Sequence, residues 1–330
     1  MAKFTKRAVL VGCNYPHTRF RLNGCTNDVK SIKAVIKERF GFLESNIRVL
    51  IDDDHIGASG SSPVLPTGAN IKAALDEMAK KAEAGDVLFF YFSGHGTAIP
   101  VLKAGKPFRQ DEAIVPCDLN LITDVDLRRF VSRLKKGASF TMLSDSCHSG
   151  GLIEKWRKQN VASWDRTTPE NHDAEAKAKF KVKAKPKFLG FDFINKVIDS
   201  AADLGHNEVP KNGQGAHKIF GKDVSRKFYP QYMDVVWEKN ILLEDDGILL
   251  SGCEAGETSY DIVSGDRAFG AFTYAVVTSL DHHRWSSVVV TNGELLAKSA
   301  KAIAKAGYGQ SPCLYCSHKN RDEPFLGGFA

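Results

Sequence analysis

Two apolar runs of the sequence, residues 87–92 and 139–143, limit the folds open to this chain more than any other feature. The first reads Val-Leu-Phe-Phe-Tyr-Phe and the second reads Ser-Phe-Thr-Met-Leu. Short runs rich in aromatic and β-branched residues are typical of strands that are buried on both faces of a sheet. Small residues and glycines follow each run, so we expect each strand to end at a tight turn.

The remaining sequence alternates between strand and helix patterns. This alternation predicts an α/β fold with a mainly parallel central sheet and helices on both faces. Further strands are expected at residues 7–13, 47–51, 247–253 and 311–317, and helices at residues 27–40, 70–84, 123–134, 268–280 and 292–306. Residues 97–111 are expected to form a loop, and residues 188–202 a short helix.

One histidine and one cysteine follow the two buried strands. His95 lies in the segment 93–96 and Cys147 in the segment 145–148. Because an open α/β sheet places its ligand crevice at the ends of its strands, we expect the two side chains to meet there. A thiol needs a neighbouring base to become a thiolate near neutral pH, and imidazole is the usual one. This pattern predicts a Cys–His hydrolase with Cys147 as the nucleophile and His95 as the base.

The positive charge of the chain is concentrated in one polar segment. The net charge is +6, and residues 155–190 contain ten Lys and Arg against four Asp and Glu, which accounts for the whole excess. Such a segment is usually a solvated loop. Nucleic-acid binding is not expected, because no stacking-aromatic or groove-helix motif accompanies the charge. The strand and helix pattern also loosens from about residue 155 to residue 240, so we expect the sheet to be interrupted there and completed by the residues that follow.

The cysteine content, the lack of a long apolar run and the first residues bear on the cellular compartment of the protein. Seven cysteines, an odd and scattered set, fit a reducing compartment better than a disulfide framework. No run approaches the roughly 18 apolar residues of a membrane span. Residues 1–7 lead directly into the first strand without an apolar region and a cleavage site, so no secretory signal is expected. These features predict a cytoplasmic protein, or one that is also nuclear, with no membrane partner.

Six segments of the sequence, in this order, resemble the metacaspases, which are caspase-like cysteine proteases, and specifically the type II group typical of plants. They are Val11 to Tyr15, Gly24 to Asp28, Phe92 to Thr97, Asp111 to Asp118, Asp145 to Gly151 and Leu250 to Cys253. The resemblance covers residues 7–154 and about 241–320. It implies a caspase–haemoglobinase fold that a long linker interrupts, and a role in programmed cell death. It also implies a large catalytic region at 1–154, a lysine-rich processed linker at 155–240 and a small region at 241–330 that completes the sheet and the substrate cleft.

The resemblance also implies an activity and a specificity pocket. It implies an endopeptidase that cleaves proteins or peptides after Arg or Lys and is made as a zymogen. The family's pocket positions are here Cys25, Asp28, Ser93 and Asp145. Two acidic residues would suit a cation, because a buried cation needs opposing carboxylates. From the residues alone, Asp28 could equally be an acid at a helix start and Asp145 a turn cap.

Several details of the catalytic centre remain to be assigned. His148 adjoins the nucleophile, but neighbouring residues on an extended chain point apart, so His95 is preferred as the base. The oxyanion is expected to bind the backbone N–H groups of Gly96 and Cys147. The sequence does not show which group orients the ring of His95, and a backbone carbonyl could do so.

The linker is expected to be an intramolecular substrate of the same enzyme. The run Lys183-Ala184-Lys185-Pro186 resembles the family's processing site, so Lys183 is the expected cleavage residue. Lys181 and Lys179 are secondary candidates. Cleavage after Lys185 is disfavoured by the ring and the missing N–H of Pro186.

Two sequence features bear on metals. Many metacaspases need calcium, but residues 99–109 are basic where calcium-dependent relatives are acidic, and Asp111 with Glu112 makes a poor calcium cage. The resemblance therefore implies the calcium-independent branch, with no cofactor. Cys313 and Cys316, with His318 nearby, lack the fourth ligand of a zinc site and are expected to be structural.

The main alternative is a non-proteolytic caspase-like scaffold or regulator. A pseudoenzyme usually loses one member of the catalytic pair, and both Cys147 and His95 are present. We expect a monomeric protease.

Overall fold

The computed structural model describes residues 4–53, 64–101, 109–147, 152, 158–159, 185–186, 242, 245–254, 257, 259–264, 267–280 and 289–328. The strands are β1 (Lys6–Gly12), β2 (Ile47–Ile51), β3 (Val87–Ser93), β4 (Gly96–Val101), β5 (Arg109–Ile114), β6 (Ile122–Thr123), β7 (Ser139–Asp145), β8 (Lys158–Gln159), β9 (Lys185–Pro186), β10 (Ile248–Ser251), β11 (Tyr260–Ser264), β12 (Arg267–Gly270) and β13 (Cys313–Tyr315). The α-helices are α1 (Cys25–Phe40), α2 (Gly68–Lys80), α3 (Asp124–Ser132), α4 (Ala271–Ser279), α5 (Asn292–Lys305) and α6 (His318–Asp322). Short 3-10 helices lie at Glu44–Asn46 and Phe325–Gly327.

The central sheet has the strand order β2-β1-β3-β7-β10-β13-β8. The first five strands of this order pair in parallel, and β13 and β8 pair antiparallel at one end. The predicted α/β fold with a mainly parallel sheet is confirmed. Since β10 lies between β7 and β13, the chain before the linker and the chain after it share one sheet.

The two apolar runs occupy the middle of this sheet. Every residue from Leu88 to Phe92 is 0% exposed, because helices cover both faces. One face packs on α2 and α3 through residues that include Ile71 and Phe130. The opposite face packs on α1, α4 and α5 through residues that include Ile32, Phe272 and Leu295.

Helix boundaries follow local sequence signals. Helix α1 ends at Gly41, whose φ of 67° is the left-handed conformation that glycine adopts without strain. Helix α3 begins after Thr123, which forms a capping box with Asp126. Helix α5 begins with the same arrangement.

Two expectations about helices and loops are wrong, and a third concerns residues that the structure does not describe. The expected loop at 97–111 is wrong at both ends, because β4 and β5 pair as an antiparallel hairpin to which β6 adds. The expected helix at 268–280 begins only at Ala271, since the preceding residues form β12, which pairs with the unpredicted strand β11. The expected helix at 188–202 lies outside the described residues.

Candidate active site

The predicted nucleophile and base follow the carboxyl ends of neighbouring parallel strands. The last pair in the register of β3 and β7 joins Ser93 to Asp145. His95 and Cys147 each lie two residues beyond this pair, so the backbone brings them to the same edge of the sheet. Both are buried, with 3% and 0% of their surface exposed.

The ring of His95 is oriented by two residues of the segment that follows β1. Nε2 lies 2.7 Å from the carbonyl oxygen of Phe20. A carbonyl can only accept a hydrogen bond, so Nε2 carries the proton and Nδ1 is the basic nitrogen. The ring of Tyr15 lies against the imidazole with centroids 4.9 Å apart. The backbone carbonyl of Phe20 is therefore a group that orients the ring of His95.

Tyr15 also fixes the backbone of the histidine. Its hydroxyl accepts a hydrogen bond from the His95 amide at 2.9 Å and donates to the Val115 carbonyl at 2.6 Å. The Val115 amide in turn donates to the His95 carbonyl at 3.0 Å. The backbone of His95 is therefore held by a closed set of hydrogen bonds between the segment after β3 and the end of β5.

The sulfur of Cys147 contacts a segment from the far side of the linker. The backbone amide of Ser259 donates to Sγ at 2.8 Å. A donor at this position stabilises negative charge on sulfur, as a thiolate nucleophile requires. Ser259 directly precedes β11, so the nucleophile and the small region meet at this contact.

Gly96 lies against the backbone of the nucleophile. A Cβ atom added at Gly96 would stand 1.8 Å from the carbonyl oxygen of Cys147, closer than any two such atoms can approach. Only glycine therefore fits here. The two residues expected to donate to the oxyanion are in backbone contact.

The four expected pocket residues lie around the ends of β3 and β7. Asp28 is fully buried in the first turn of α1. Its carboxylate accepts hydrogen bonds from the Ser93 hydroxyl at 2.7 Å and from the Gly270 amide at 2.9 Å. Cys25 begins the same helix and is also fully buried.

Asp145 links the pocket to the nucleophile. One carboxylate oxygen accepts from the Ser259 hydroxyl at 2.7 Å, and the other accepts from the amide and hydroxyl of Thr273, both at 2.8 Å. The Tyr91 hydroxyl bonds to Thr273 at 2.6 Å. Burial, followed by the charges of Asp28 and Asp145, raises the pKa of Tyr91 well above its usual value. The two acids therefore share one buried environment.

A two-residue piece of the linker pairs with the small region beside this site. In strand β9, Lys185 pairs with Asp261 and Pro186 pairs with Tyr260, antiparallel to β11. The expected cleavage residue Lys183 lies outside the described residues, as do Lys181, Lys179 and the alternative base His148.

Within the described residues, no group of three or more His, Cys, Asp or Glu side chains is arranged to hold a metal ion. Cys313 and Cys316 are 3% and 1% exposed and pack in the two cores. Burial is the largest of the causes that raise the pKa of Cys313 to about 11. The side chain of Glu112 on β5 is buried, with 1% of its surface exposed. Most of the basic segment 99–109 lies outside the described residues.

Sequence reasoning missed five residues of this site, namely Tyr15, Phe20, Ser259, Gly270 and Thr273. Phe20 contributes only a backbone carbonyl, which any residue type could supply. Tyr15 lies in a segment that carries the family resemblance, and its positive φ of 51° marks a special backbone position that the sequence does not reveal.

Comparisons with known proteins agree over nearly the whole chain. Residues 5–322 match a family model described as the caspase domain. The chain is 44% identical to Metacaspase-9 of Arabidopsis thaliana, across 97% of this chain and 96% of that protein. It is 31% identical to Metacaspase-8 of Arabidopsis thaliana, across 97% and 99% of the two chains.

Among solved structures, the protein GSU0716 from Geobacter sulfurreducens superposes on this chain with a TM-score of 0.57 and 17% sequence identity. The superposition covers 99% of this chain and 100% of that protein. This likeness supports the fold alone.

No helix in the described part of the chain is both long and apolar enough to cross a membrane.

Proposed function

The chain belongs to the metacaspases and is a cysteine-type endopeptidase with a caspase domain; from this premise we propose that it cleaves protein substrates after Arg or Lys and matures by cutting its own linker. One observation carries the specificity. The buried carboxylates of Asp28 and Asp145 lie at the ends of the same two strands that lead to His95 and Cys147.

The geometry supports the following reaction. The Cys147 thiol passes its proton to Nδ1 of His95, and the thiolate attacks the carbonyl carbon of the scissile bond. The N–H groups of Gly96 and Cys147 hold the resulting oxyanion. The imidazolium then gives its proton to the departing amine, and a thioester remains. Water, deprotonated by His95, hydrolyses the thioester and restores the free thiol.

A substrate cation would be held by the two acids. Desolvation of a guanidinium or ammonium is compensated only by charge-assisted hydrogen bonds to carboxylates. Replacement of Asp28 or Asp145 by asparagine removes a charge and keeps the shape. For a buried charge pair this costs about 2–5 kcal/mol.

Fluorogenic peptides with Arg, Lys or Asp before the scissile bond test this proposal. Asp28→Asn and Asp145→Asn should each lose nearly all activity on the Arg and Lys peptides. Asp86→Asn changes a buried acid at the opposite end of β3 and serves as the matched control. Cys147→Ala gives the background rate of the assay. Efficient cleavage after Asp by the wild type would contradict the proposal.

Two linker bonds are candidates for self-cleavage. The bond after Lys183 follows from the resemblance to the family's processing site. The register of β9 supports a second bond, since Pro186 lies opposite Tyr260, and the preceding residue of the small region, Ser259, contacts the nucleophile. The residue that follows Pro186 in the sequence is Lys187.

N-terminal sequencing of the small fragment distinguishes the two bonds. A fragment that begins at Ala184 assigns the cut to Lys183, and one that begins at Phe188 assigns it to Lys187. The precursors Lys183→Ala and Lys187→Ala form a matched pair, of which only one should mature slowly. A fragment that begins at Phe180 or Val182 would contradict both and assign the cut to a secondary candidate, Lys179 or Lys181. A start outside residues 178–188 would contradict every one of these assignments, and cutting of Cys147→Ala at the wild-type rate would exclude self-cleavage.

We also propose that the enzyme works without calcium or another cofactor. The basic residues of the segment 99–109 support this, because calcium prefers several carboxylate oxygens. Peptide cleavage should be equal in EGTA and in millimolar calcium. A strict requirement for calcium would show that the ion binds at residues outside this segment.

A monomer in the cytoplasm, or also in the nucleus, is the setting that we propose for this activity. None of the seven cysteines, all of which lie in the described part of the chain, forms a disulfide, as is usual in a reducing compartment. Sedimentation of the precursor tests the monomer, and imaging of a tagged chain tests the location.

A further inference from the structure

The loop that joins β1 to α1 (residues 13–24, here the β1–α1 loop) supplies the groups that hold the base. Tyr15 contributes its ring and its hydroxyl, and Phe20 contributes its carbonyl oxygen. Both residues lie between the end of β1 and the start of α1, in neither a strand nor a helix. The position of His95 therefore depends on the interactions that fix the conformation of this loop.

The start of the β1–α1 loop is bound by the carboxylate of Asp52. One carboxylate oxygen accepts from the Asn14 amide at 2.6 Å, and the other accepts from the Tyr15 amide at 2.7 Å. Asp52 directly follows β2, whose last residue pairs with the last residue of β1, so the two strand ends bring the carboxylate beside the loop. Asp52 is buried, and hydrogen bonds in such surroundings are stronger than in water.

The backbone of Tyr15 needs a restraint of this kind. Its φ of 51° lies in the left-handed region, which a residue with a side chain occupies only when its surroundings hold it there. The Tyr15 amide donates to Asp52, while the hydroxyl at the far end of the side chain bonds to His95 and Val115. Asp52 therefore fixes the direction in which the tyrosine side chain leaves the loop toward the base.

Thr18 extends this restraint from Tyr15 to Phe20. Its hydroxyl donates to the Tyr15 carbonyl at 3.1 Å and accepts from the Phe20 amide at 3.1 Å. Its own amide donates to the same Tyr15 carbonyl at 3.1 Å. Because the carbonyl of Phe20 bonds to Nε2 of His95, a continuous path of hydrogen-bonded residues joins Asp52 to the base.

The far end of the β1–α1 loop is held in a similar way. One carboxylate oxygen of Asp261 accepts from the amides of Asn23 at 3.1 Å and Gly24 at 3.3 Å. Asp261 belongs to β11 and pairs with the linker strand β9, so a change there would also disturb the cleft. A change at Asp52 acts on the loop from the side of β2.

We infer that Asp52 is a positioning residue of the active site, which acts on His95 through the β1–α1 loop. Its carboxylate fixes Tyr15, and the Thr18 hydroxyl extends the restraint to the carbonyl that orients the imidazole. The inference rests on the proposed roles of Cys147 and His95, because Asp52 affects the reaction through the base.

Asp52→Asn tests the assignment, because the amide keeps the size of the carboxylate but offers one accepting oxygen to two backbone amides. On a Lys peptide, kcat should fall by about tenfold or more with little change in KM, since a misplaced catalytic group slows the chemical step. Alkylation of Cys147 by iodoacetamide, followed against pH, needs no substrate. Its midpoint should rise by about one pH unit, because the thiolate loses support from the imidazolium.

Asp86→Asn is the matched control for stability. The Asp86 carboxylate also accepts from two backbone amides, those of Thr5 and Glu83, but at the opposite end of the sheet. This variant should be less stable than the wild type and keep its kcat and its alkylation profile. If Asp52→Asn behaved in the same way, its role would be structural and the inference would be overturned.

Thr18→Val and Thr18→Ser form a second pair at a partly buried position, where the fold tolerates the change. Thr18→Val removes the hydroxyl that joins Tyr15 to Phe20, and kcat should fall by about threefold or more, with the alkylation midpoint raised. Thr18→Ser keeps the hydroxyl and should recover most of the loss. A wild-type kcat and alkylation profile in Thr18→Val would overturn the inference, even if Asp52→Asn did not fold.

The same measurements separate this inference from the proposed function. Cleavage of the Lys peptide by the wild type, and by neither Cys147→Ala nor His95→Ala, supports the proposed function whatever the effect of Asp52→Asn. If the wild type cleaved neither Arg nor Lys peptides, the proposed specificity would be wrong. The alkylation profiles of Asp52→Asn and Thr18→Val would still support or overturn the role of Asp52.

Discussion

The two predicted catalytic side chains, of His95 and Cys147, are held by groups that are neither the nucleophile nor the base. The Tyr15 hydroxyl positions the backbone of His95, and the Phe20 carbonyl sets its tautomer. Gly96 allows the backbone of Cys147 to come close. Side-chain chemistry at His95 and Cys147 therefore depends on neighbours that supply only shape and hydrogen bonds.

We predict that Gly96→Ala reduces kcat/KM on a Lys peptide by a factor of at least about 10². The added Cβ would meet the Cys147 carbonyl oxygen, which belongs to the backbone, so the nucleophile must shift. Loss of one oxyanion donor typically costs 10²–10³ in rate, that is ~2.7–4 kcal/mol. Gly309→Ala is the control, because nothing lies within 4 Å of its added Cβ. Activity within twofold of the wild type would contradict the expected oxyanion role.

A second prediction concerns Tyr15→Phe. The change leaves the His95 amide and the Val115 carbonyl without their partner, which costs about 1–3 kcal/mol of folding free energy. Because Tyr15 positions the base, the pH profile of kcat/KM should also move, and this a merely structural role would not do. Phe130, a buried ring remote from the strand ends, gives the matched control Phe130→Leu. Loss of stability with an unchanged pH profile would exclude the positioning role.

Strands and helices position the residues of the candidate site, because paired strands end at the same point of the sheet. Strands β3 and β7 end together at Ser93 and Asp145, and α1 presents Asp28 to the same point. The hairpin of β11 and β12 is tied to the start of α1, since the Asp261 carboxylate accepts from the Gly24 amide at 3.3 Å. The cleft is thus closed by elements from both sides of the linker.

At the opposite end of β3, Asp86 joins the first strands of the sheet. Its carboxylate accepts from the amides of Thr5 at 2.8 Å and Glu83 at 2.9 Å, and it pairs with Arg7. Burial alone would raise the pKa of Asp86, but these hydrogen bonds and the Arg7 charge outweigh it and lower the pKa. The ionised form is therefore the stabilising one.

We predict that Asp86→Asn lowers the free energy of unfolding by about 1–3 kcal/mol at pH 7. Because the folded-state pKa is lowered, the contribution of Asp86 is complete above about pH 4 and is lost as the pH falls through the folded value. Urea titrations at pH 7 and in acid should therefore show a difference between the proteins that shrinks in acid. Asp76→Asn, which alters an exposed ion pair, should change stability by less than about 1 kcal/mol. A difference that stays constant with pH would contradict the assignment.

The elements also show what the sequence could and could not predict. Strands β3 and β7 are predicted to within two residues, since a run such as 87–92 has few other stable environments. The hairpin of β4 and β5 is missed, because Pro100 and the glycine and lysines of 103–106 are typical of loops. Ser259 and Thr273 are missed because they contact partners 112 and 128 residues away, and no local pattern records such a contact.

In the whole molecule, the catalytic residues and the groups that cover them come from opposite sides of the linker. Cys147 has no exposed surface, and Ser259 lies against its sulfur. Strand β10 pairs with β7 and β13, so the two sides remain in one sheet when the linker is cut. The proposed self-cleavage could therefore change access to the thiol without separating the two fragments.

We predict that the uncut precursor, kept intact by Lys183→Ala and Lys187→Ala together, reacts slowly with iodoacetamide at Cys147. Access requires Ser259 to move, and an opening step that costs about 1.4 kcal/mol already slows the reaction about tenfold. Mass spectrometry of the alkylated peptides measures each cysteine separately. Cys117, which is partly exposed, should react at the same rate in both forms and is the internal control. Equal rates at Cys147 in the precursor and the mature enzyme would contradict a shielded nucleophile.

The pairing of β9 with β11 has a consequence for the life of the mature enzyme. If the proposed cut released this segment, the strand edge at Tyr260 and Asp261 that β9 covers would be uncovered, close to Val263, whose surface is already 46% exposed. An uncovered edge of this kind is a template for pairing with other chains and for aggregation. If the chain matures by the proposed self-cleavage, we expect the cut form to aggregate more readily than the uncut one.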